Sequence, residues 1–441
     1  MADPLNDVHL DVDVDLAVQE VLFAASQHDI PKLRLLLRSN EAATNPANVK
    51  DPETGYSPLH AAIAACESEE EEKKANGAPN GVQANGDGAQ AHTSEKQEGT
   101  IQAAVQTVKL LLQEGAIWND LDLNDETPGC IARRLGLMEL YEMVVDAGVR
   151  AELLLNRLDG YEELEDEEME DDEEEEQGQQ EEQAQGQEAT ETAEDDSAPQ
   201  LVETITTTTQ PSSTDETNPA VTNTRYLSSN LTIQSDRILD QDQNGVMMSW
   251  ETSIMLKSAK QLLPTPGLRV LNVGHGMGII DTFFQGQSPV SHHIIEAHPS
   301  VIAEMKRKGW DTKPGVVIHE GRWQDILPSL VAEGETFDAI YYDTFAESYG
   351  DFREFFQEQV IGILEQDGGK WGFFNGMGAD RQISYDVYQK VVEMDLFEGG
   401  FDVSWEEIDV PRLDLRGEWE GVRRPYWSIE KYRLPLCKFM D

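Results

Sequence analysis

Between Val270 and Asp281 the chain reads VLNVGHGMGIID, an apolar run that breaks into three alternating glycines and then resumes. Without a Cβ, Gly274, Gly276 and Gly278 let the backbone turn sharply at a strand end and bring its N–H groups against a ligand. The string HHIIEAHP follows one unit later, and Glu296 ends its apolar run. In doubly wound folds an acid about 20 residues past such a loop accepts hydrogen bonds from ribose hydroxyls. Together the two signals constrain this half of the chain to a strand, loop and helix that cradle a nucleoside. The spacing is G-x-G-x-G, with Ile279 where a dinucleotide fingerprint needs glycine, so no pyrophosphate is required. S-adenosylmethionine, an adenosine with a charged tail, suits such a loop.

The surrounding sequence supplies the sheet. From about Thr224 to Asp441, strand-like runs (LRVLNVG, SHHIIEAH, PGVVIHEG, FDAIYYDTF, GGKWGFFNG) alternate with helix-like ones, which predicts a parallel sheet with helices on both faces. Ligands in such sheets sit at the carboxyl ends of strands. The candidate cofactor residues at those ends are Gly274, His275, Gly276, Met277, Gly278 and Ile279, then Glu296, Ala297 and His298, then Trp323, Gln324 and Asp325, and finally Asp343. An acid or amide after the third strand reads the adenine amino group while the neighbouring ring packs on its face; ordinary core burial is the alternative for Trp323.

Nearer the N-terminus, DPETGYSPLHAAIAAC from Asp51 resembles the ankyrin signature, in which a turn precedes T-P-L-H-x-A; Ser57 replaces the threonine. VQTVKLLLQEGA, from Val105, reads as a second helix with a glycine stop. NDETPGCIARRLG keeps Thr127 and Pro128 but has Gly129 and Cys130 in place of Leu and His, a degenerate copy. Pro58 and Pro128 lie 70 residues apart, about twice the repeat period of 33, and the aperiodic stretch between Cys66 and Thr100 predicts an inserted flexible excursion over about 67–100. VLFAASQHDIPKLRLLLRSN, from Val21, supplies a further helix pair. The resemblance implies an all-α ankyrin-repeat domain over 15–155, with His60 a structural turn histidine and a concave face that contacts proteins.

Charge narrows the partners. The formal net charge of −52 removes any general positive field for nucleic acid and favours a basic protein partner. Tyr161 to Asp196 carries no Lys or Arg, and Thr204 to Thr222 is rich in Thr, Ser and Pro, so 156–222 is expected to be a disordered acidic linker and 223–441 the cofactor-binding domain. Cys66, Cys130 and Cys437 are scattered, which indicates neither zinc nor a disulfide framework and fits a reducing compartment. With no signal pattern and no apolar run of about 18 residues, the expectation is a soluble chain of cytoplasm and nucleus that meets no membrane.

The combination M-x-x-W-E-T from Met247, VGHGMGI, W-x-D at Trp323 and Y-D-T at Tyr342 resembles guanidinoacetate N-methyltransferases. The whole chain, ankyrin front included, resembles protein arginine delta-nitrogen (type IV) methyltransferases. That resemblance implies a Rossmann-like S-adenosylmethionine-dependent methyltransferase domain in which Glu251 and Asp343 grip a guanidinium, with Tyr226 and Met255 as further cofactor contacts and no metal. The chemistry is sensible, since a guanidinium is planar, permanently charged and rich in donors that carboxylates accept in pairs. The commoner arginine methyltransferases carry a two-glutamate hairpin and a T-H-W loop; here AESYGDFREFF follows Asp343 and no T-H-W occurs. The expected activity is therefore methylation of the delta nitrogen of arginine in a basic protein, ribosomal proteins being a fitting class. Two alternatives stand beside it: methylation of a free guanidino metabolite, and an ankyrin adaptor with an inactive methyltransferase domain.

Overall fold

The computed structural model describes residues 16–38, 45–67, 87–167 and 221–440, the backbone alone over 87–97 and 158–167. The expected excursion and acidic linker fall largely outside these residues.

The N-terminal half is helical: α1 (16–26), α2 (Ile30–Leu37), α3 (Pro58–Ala64), α4 (Asp87–Gln113), α5 (Pro128–Arg134) and α6 (Met138–Glu167). Two equivalent turns organise it. Ser57 and Thr127 sit in extended backbone and cap α3 and α5, each helix opening on a proline whose missing N–H costs nothing there. The turns touch: the Leu123 N–H donates to the Thr54 carbonyl at 3.0 Å, and His60 Nε2 meets the Glu126 carbonyl at 3.1 Å. Gly55, at φ +74°, permits this approach, because a Cβ there would lie 2.7 Å from the Leu123 nitrogen. Leu59, Ile63, Leu111, Ile131 and Leu140 fill the space between the helices. Two boundaries differ from the sequence reading. Helix α4 starts at Asp87, inside the expected excursion, and α6 runs past 155 to Glu167; Ala, Gln, Glu and Lys in the first extension and Leu, Arg and Glu in the second are good helix formers.

The C-terminal half opens with α7 (Asn223–Leu227) and a small antiparallel sheet of β1 (Thr232–Ile233), β2 (Arg237–Leu239) and β3 (Gly245–Met248). There follow α8 (Thr252–Leu262), β4 (Arg269–Val273), α9 (Ile279–Gly286), β5 (Ser291–Glu296), α10 (Pro299–Arg307), β6 (Val316–Glu320), α11 (Trp323–Glu333), β7 (Ala339–Tyr342), α12 (Tyr349–Glu354), α13 (Val360–Ile363), β8 (Lys370–Phe373), α14 (Gln382–Glu398), β9 (Phe401–Asp409) and β10 (Lys431–Phe439). The main sheet has the order β6-β5-β4-β7-β8-β10-β9. Strands β4 to β8 are parallel, and they are the five runs read from the sequence. The sheet is not wholly parallel, however, because β10 runs antiparallel to β8 and β9. Strand β9 escapes the pattern because Glu407 and Asp409 take apolar positions of its alternation, as charges on an edge strand commonly do. The chain leaves β4 toward β5 and β6, then returns to the other side of β4 as β7, which opens a crevice between the ends of β4 and β7.

The halves share one continuous apolar core. Helix α6 lies along α14, with Tyr141 donating to Asp386 at 2.6 Å, Tyr388 to Glu152 at 3.0 Å and Lys390 to Asp146 at 3.2 Å. Gly129, the second residue of α5, lies against α14: a Cβ there would fall 1.7 Å from Ile383 Cδ1.

Candidate active site

Two cavities meet at the crevice. The first is lined by strand ends and by α7. Gly274, at φ +93°, has no room for a side chain, since a Cβ would sit 1.9 Å from the Asp343 carbonyl oxygen; glycine here lets the ends of β4 and β7 converge. Gly276 takes φ +54° beneath Met247. Glu296 is pinned at the end of β5, accepting from the backbone N–H of His275 at 2.9 Å, Gly276 at 3.3 Å and His298 at 2.8 Å. A carboxylate has about four acceptor sites, so capacity remains for a ribose hydroxyl. The glycine cradle and the anchored acid fit a nucleoside cofactor.

Of the residues expected to meet the cofactor, Tyr226, Gly274, Gly276, Glu296, Ala297, Trp323 and Asp343 line this cavity. The others do not. His275 turns its ring inward to Asp281 at 2.6 Å, and His292 holds the same carboxylate at 2.8 Å from the far side. Burial works against that carboxylate, yet the two imidazoles hold its pKa down at about 2. This buried trio fixes the glycine loop from below. Gly278 is the left-handed cap of α9, Met277 donates its N–H to Met247 Sδ, and Ile279 and Met255 pack in the core beneath. His298 caps α10 through Ser300 and meets the Tyr226 carbonyl at 3.1 Å. Gln324 points its amide at Glu347, 3.4 Å away, with its own oxygen buried and unpartnered, while Asp325 is exposed in the first turn of α11. The Trp323 ring is wedged edge-on among Tyr342 and Phe355, and its Nε1 donates to Glu347 at 3.0 Å. Tyr226 packs on His298 and Phe345, ring centroids 4.9 and 5.0 Å apart.

The second cavity contains both Glu251 and Asp343 in its wall. Glu251 follows β3 in a short helical turn that leads into α8; Asp343 is the first residue beyond β7. Among the described residues lining the cavity, three are carboxylates (Glu251, Asp343, Glu347) and none is Lys or Arg, while Phe352, Phe373, Phe374 and Tyr426 supply flat apolar walls. Burial first, and then the charge of Asp343, push the Glu251 carboxyl well above its usual range. Burial likewise raises Asp343 to about 7, helped by Asp281, and Asp343 Oδ2 is buried with no hydrogen-bond partner. Two acids forced together without a cation want one supplied. Asp343 lines both cavities and so stands at their junction.

Three contributors were not read from the sequence. Glu347 accepts from Trp323, Gln324 and the Tyr342 hydroxyl and borders both cavities. Asn375, after β8, donates to the Tyr385 hydroxyl at 3.0 Å. Tyr426 donates to Glu251 Oε1 from the long connection between β9 and β10. Glu347 stands in the quoted AESYGDFREFF, but nothing marks it there; Tyr426 has no motif around it.

Sheet order, glycine cradle and adjoining acidic cavity define a Rossmann-like methyltransferase that uses S-adenosylmethionine. The guanidinoacetate N-methyltransferase family model matches residues 227–391. Over 100% of both chains the sequence is 75% identical to protein arginine N-methyltransferase 2 of Emericella nidulans and 70% identical to that of Aspergillus fumigatus. It is 45% identical to the Neurospora crassa protein of the same name over 98% of each. The chain belongs to the protein arginine N-methyltransferase 2 family.

Proposed function

We propose that this chain transfers the methyl group of S-adenosylmethionine to the delta nitrogen of an arginine side chain in a basic protein. The observation that carries this reading is the pair Glu251 and Asp343 in one wall of an acidic, aromatic cavity that opens on the cofactor cradle. Arginine enters as a flat cation between aromatic faces, and the two carboxylates take its N–H groups in paired bonds. Holding charge on the far nitrogens leaves the attacking one more nucleophilic, and orientation supplies much of the rate. Bound S-adenosylmethionine contributes an electrophilic methyl on a sulfonium. Asp343, at the junction of the cavities, is placed to accept the proton that the attacking nitrogen gives up.

A free guanidino acid suits the cavity less well, because its carboxylate would face Glu347 and aromatic walls with no cationic side chain to meet it. The paired turns at Ser57 and Thr127, and their stacking, support an ankyrin-like reading of the helical half and a role in choosing the protein target. Ribosomal proteins, small and strongly basic, match the net charge of −52. The test is fragmentation mass spectrometry of a protein methylated by the purified chain. Methyl on the nitrogen next to Cδ is expected; methyl on terminal nitrogens alone would overturn the delta assignment, and faster turnover of guanidinoacetate would overturn the protein target.

A further inference from the structure

The connection 410–430 between β9 and β10 lies outside the stretch matched by the guanidinoacetate family model, yet it closes one side of the arginine cavity. It is stitched to the small sheet. Arg423 donates its N–H to the Gln243 carbonyl at 2.8 Å, and Arg237 Nη1 reaches the Glu420 carbonyl at 2.7 Å. On its other flank the Ser428 N–H donates to the Ala379 carbonyl at 2.9 Å, and the buried Trp427 donates to the Ile429 carbonyl at 2.7 Å. Between these anchors the Tyr426 ring rests on Gly245, where a Cβ would come within 2.9 Å of its Cε1, and meets Trp419 edge-on at 4.9 Å.

The hydroxyl of Tyr426 has two partners. Trp250 Nε1 lies 3.1 Å away, and the Glu251 carboxylate lies on the other side. An indole N–H can only donate and a phenol has one proton. The direction of the chain is therefore fixed: Trp250 donates to Tyr426, and Tyr426 must spend its proton on Glu251. One carboxylate oxygen is thus held in place by a charge-assisted bond while acceptor capacity remains for a guanidinium.

Resting on the reading of this cavity as a guanidinium site, we propose that Tyr426, oriented by Trp250, is the positioning residue for Glu251 and a determinant of arginine affinity. The same bond opposes the rise that burial and Asp343 impose on Glu251, and so keeps it ionised at a lower pH. The other titratable groups facing Glu251 are Asp343 and Tyr341 at the end of β7 and Tyr432 on β10, and none of these donates to it.

The test is Tyr426→Phe in the full chain, which keeps the ring and removes the proton. An arginine-containing peptide is titrated calorimetrically with S-adenosylhomocysteine present, and kinetics are followed from pH 6 to 9. The expected result is a KM for peptide raised roughly tenfold to a hundredfold. The acidic limb of kcat/KM should move to higher pH, and cofactor affinity should stay within about twofold of the parent. Trp250→Phe, which releases the hydroxyl without deleting it, should shift both in the same direction by less, and it carries the test if Tyr426→Phe does not fold. Unchanged KM and an unmoved pH profile in the folded variant would overturn the role of Tyr426. Failure of the parent protein to bind the peptide would instead overturn the guanidinium reading, and this assignment with it.

Discussion

The two cavities share Asp343 but are built by different means. The cofactor cradle is largely backbone: Gly274 and Gly276 supply the space, three N–H groups hold Glu296, and the parts come from consecutive strand ends. The acidic cavity is largely side chain, and its walls come from β3, the loop after β7, the loop after β8, α14 and the β9–β10 connection. A backbone cradle tolerates change in its neighbours and fails when a glycine gains a Cβ. A side-chain cavity fails when a single charge or proton is lost. Substitutions can therefore separate the two.

Asp343 is where separation should break down, and the largest effect is expected there. Asp343→Asn keeps the shape and removes the charge that lines both cavities. Turnover should fall about 10³-fold or more, by the measure of losing a preorganised charge beside the reacting atoms. Stability should move the other way. The folded-state pKa of about 7 lies above that of an unfolded aspartate, so the stabilisation tied to its proton is complete below about pH 4 and is lost as pH rises through 7. The ligand-free variant should therefore melt higher than the parent at pH 8, by calorimetry, with the gap closing toward pH 4. A variant that is inactive but no more stable at pH 8 would show that Asp343 is not strained in the empty site.

Gly276→Ala tests the cradle alone. An alanine at φ +54° pays a left-handed backbone cost of roughly 1 kcal/mol, and its Cβ would meet Met247 Sδ at 2.7 Å. S-adenosylmethionine affinity should drop about tenfold while arginine-peptide affinity is held. Equal loss of both would mean that the cavities are not separable. A pH titration then probes the acid pair without any substitution. Arginine stays charged throughout, whereas Asp343 ionises near 7 and Glu251 is held above its usual range by burial and then by the Asp343 charge. In the cofactor-free protein, peptide affinity should climb as pH passes through about 7 and level off above it. A flat profile from pH 5 to 8 would exclude a buried acid pair as the recognition element.

The same contrast explains what the sequence made legible. Glycines, strand ends and Glu296 follow each other closely and obey local rules, so β4 to β8 and the cradle could be read directly. Glu251 and Asp343 were singled out through the family resemblance of the strings W-E-T and Y-D-T, and the structure places both in one cavity wall. Side chains at the cradle were less legible, because position in a motif does not say which way a residue faces: His275 and Met255 turn into the core, and Trp323 serves Glu347 with its indole. Tyr426 and Asn375 reach the site only through the order in which β8, β10 and β9 pair, and the charges that protect edge strand β9 hid that order.

The helical half poses the mildest test of the comparison, at Gly129. As a repeat residue it looks like decay, since leucine is the expected occupant of that turn. Against α14 it is a fitted contact, because any side chain would intrude on Ile383. The opposite face of α14 serves the acidic cavity through Val392 and through the Tyr385 hydroxyl that receives Asn375. Gly129→Leu restores the repeat signature and should improve the helical half taken by itself, yet overpack the junction by about 1–3 kcal/mol. The expected outcome is a lower melting temperature for the whole chain, cofactor affinity unchanged, and a KM for protein substrate raised no more than a few-fold. A higher melting temperature would mean that the repeat, and not the docking of the two halves, governs this position.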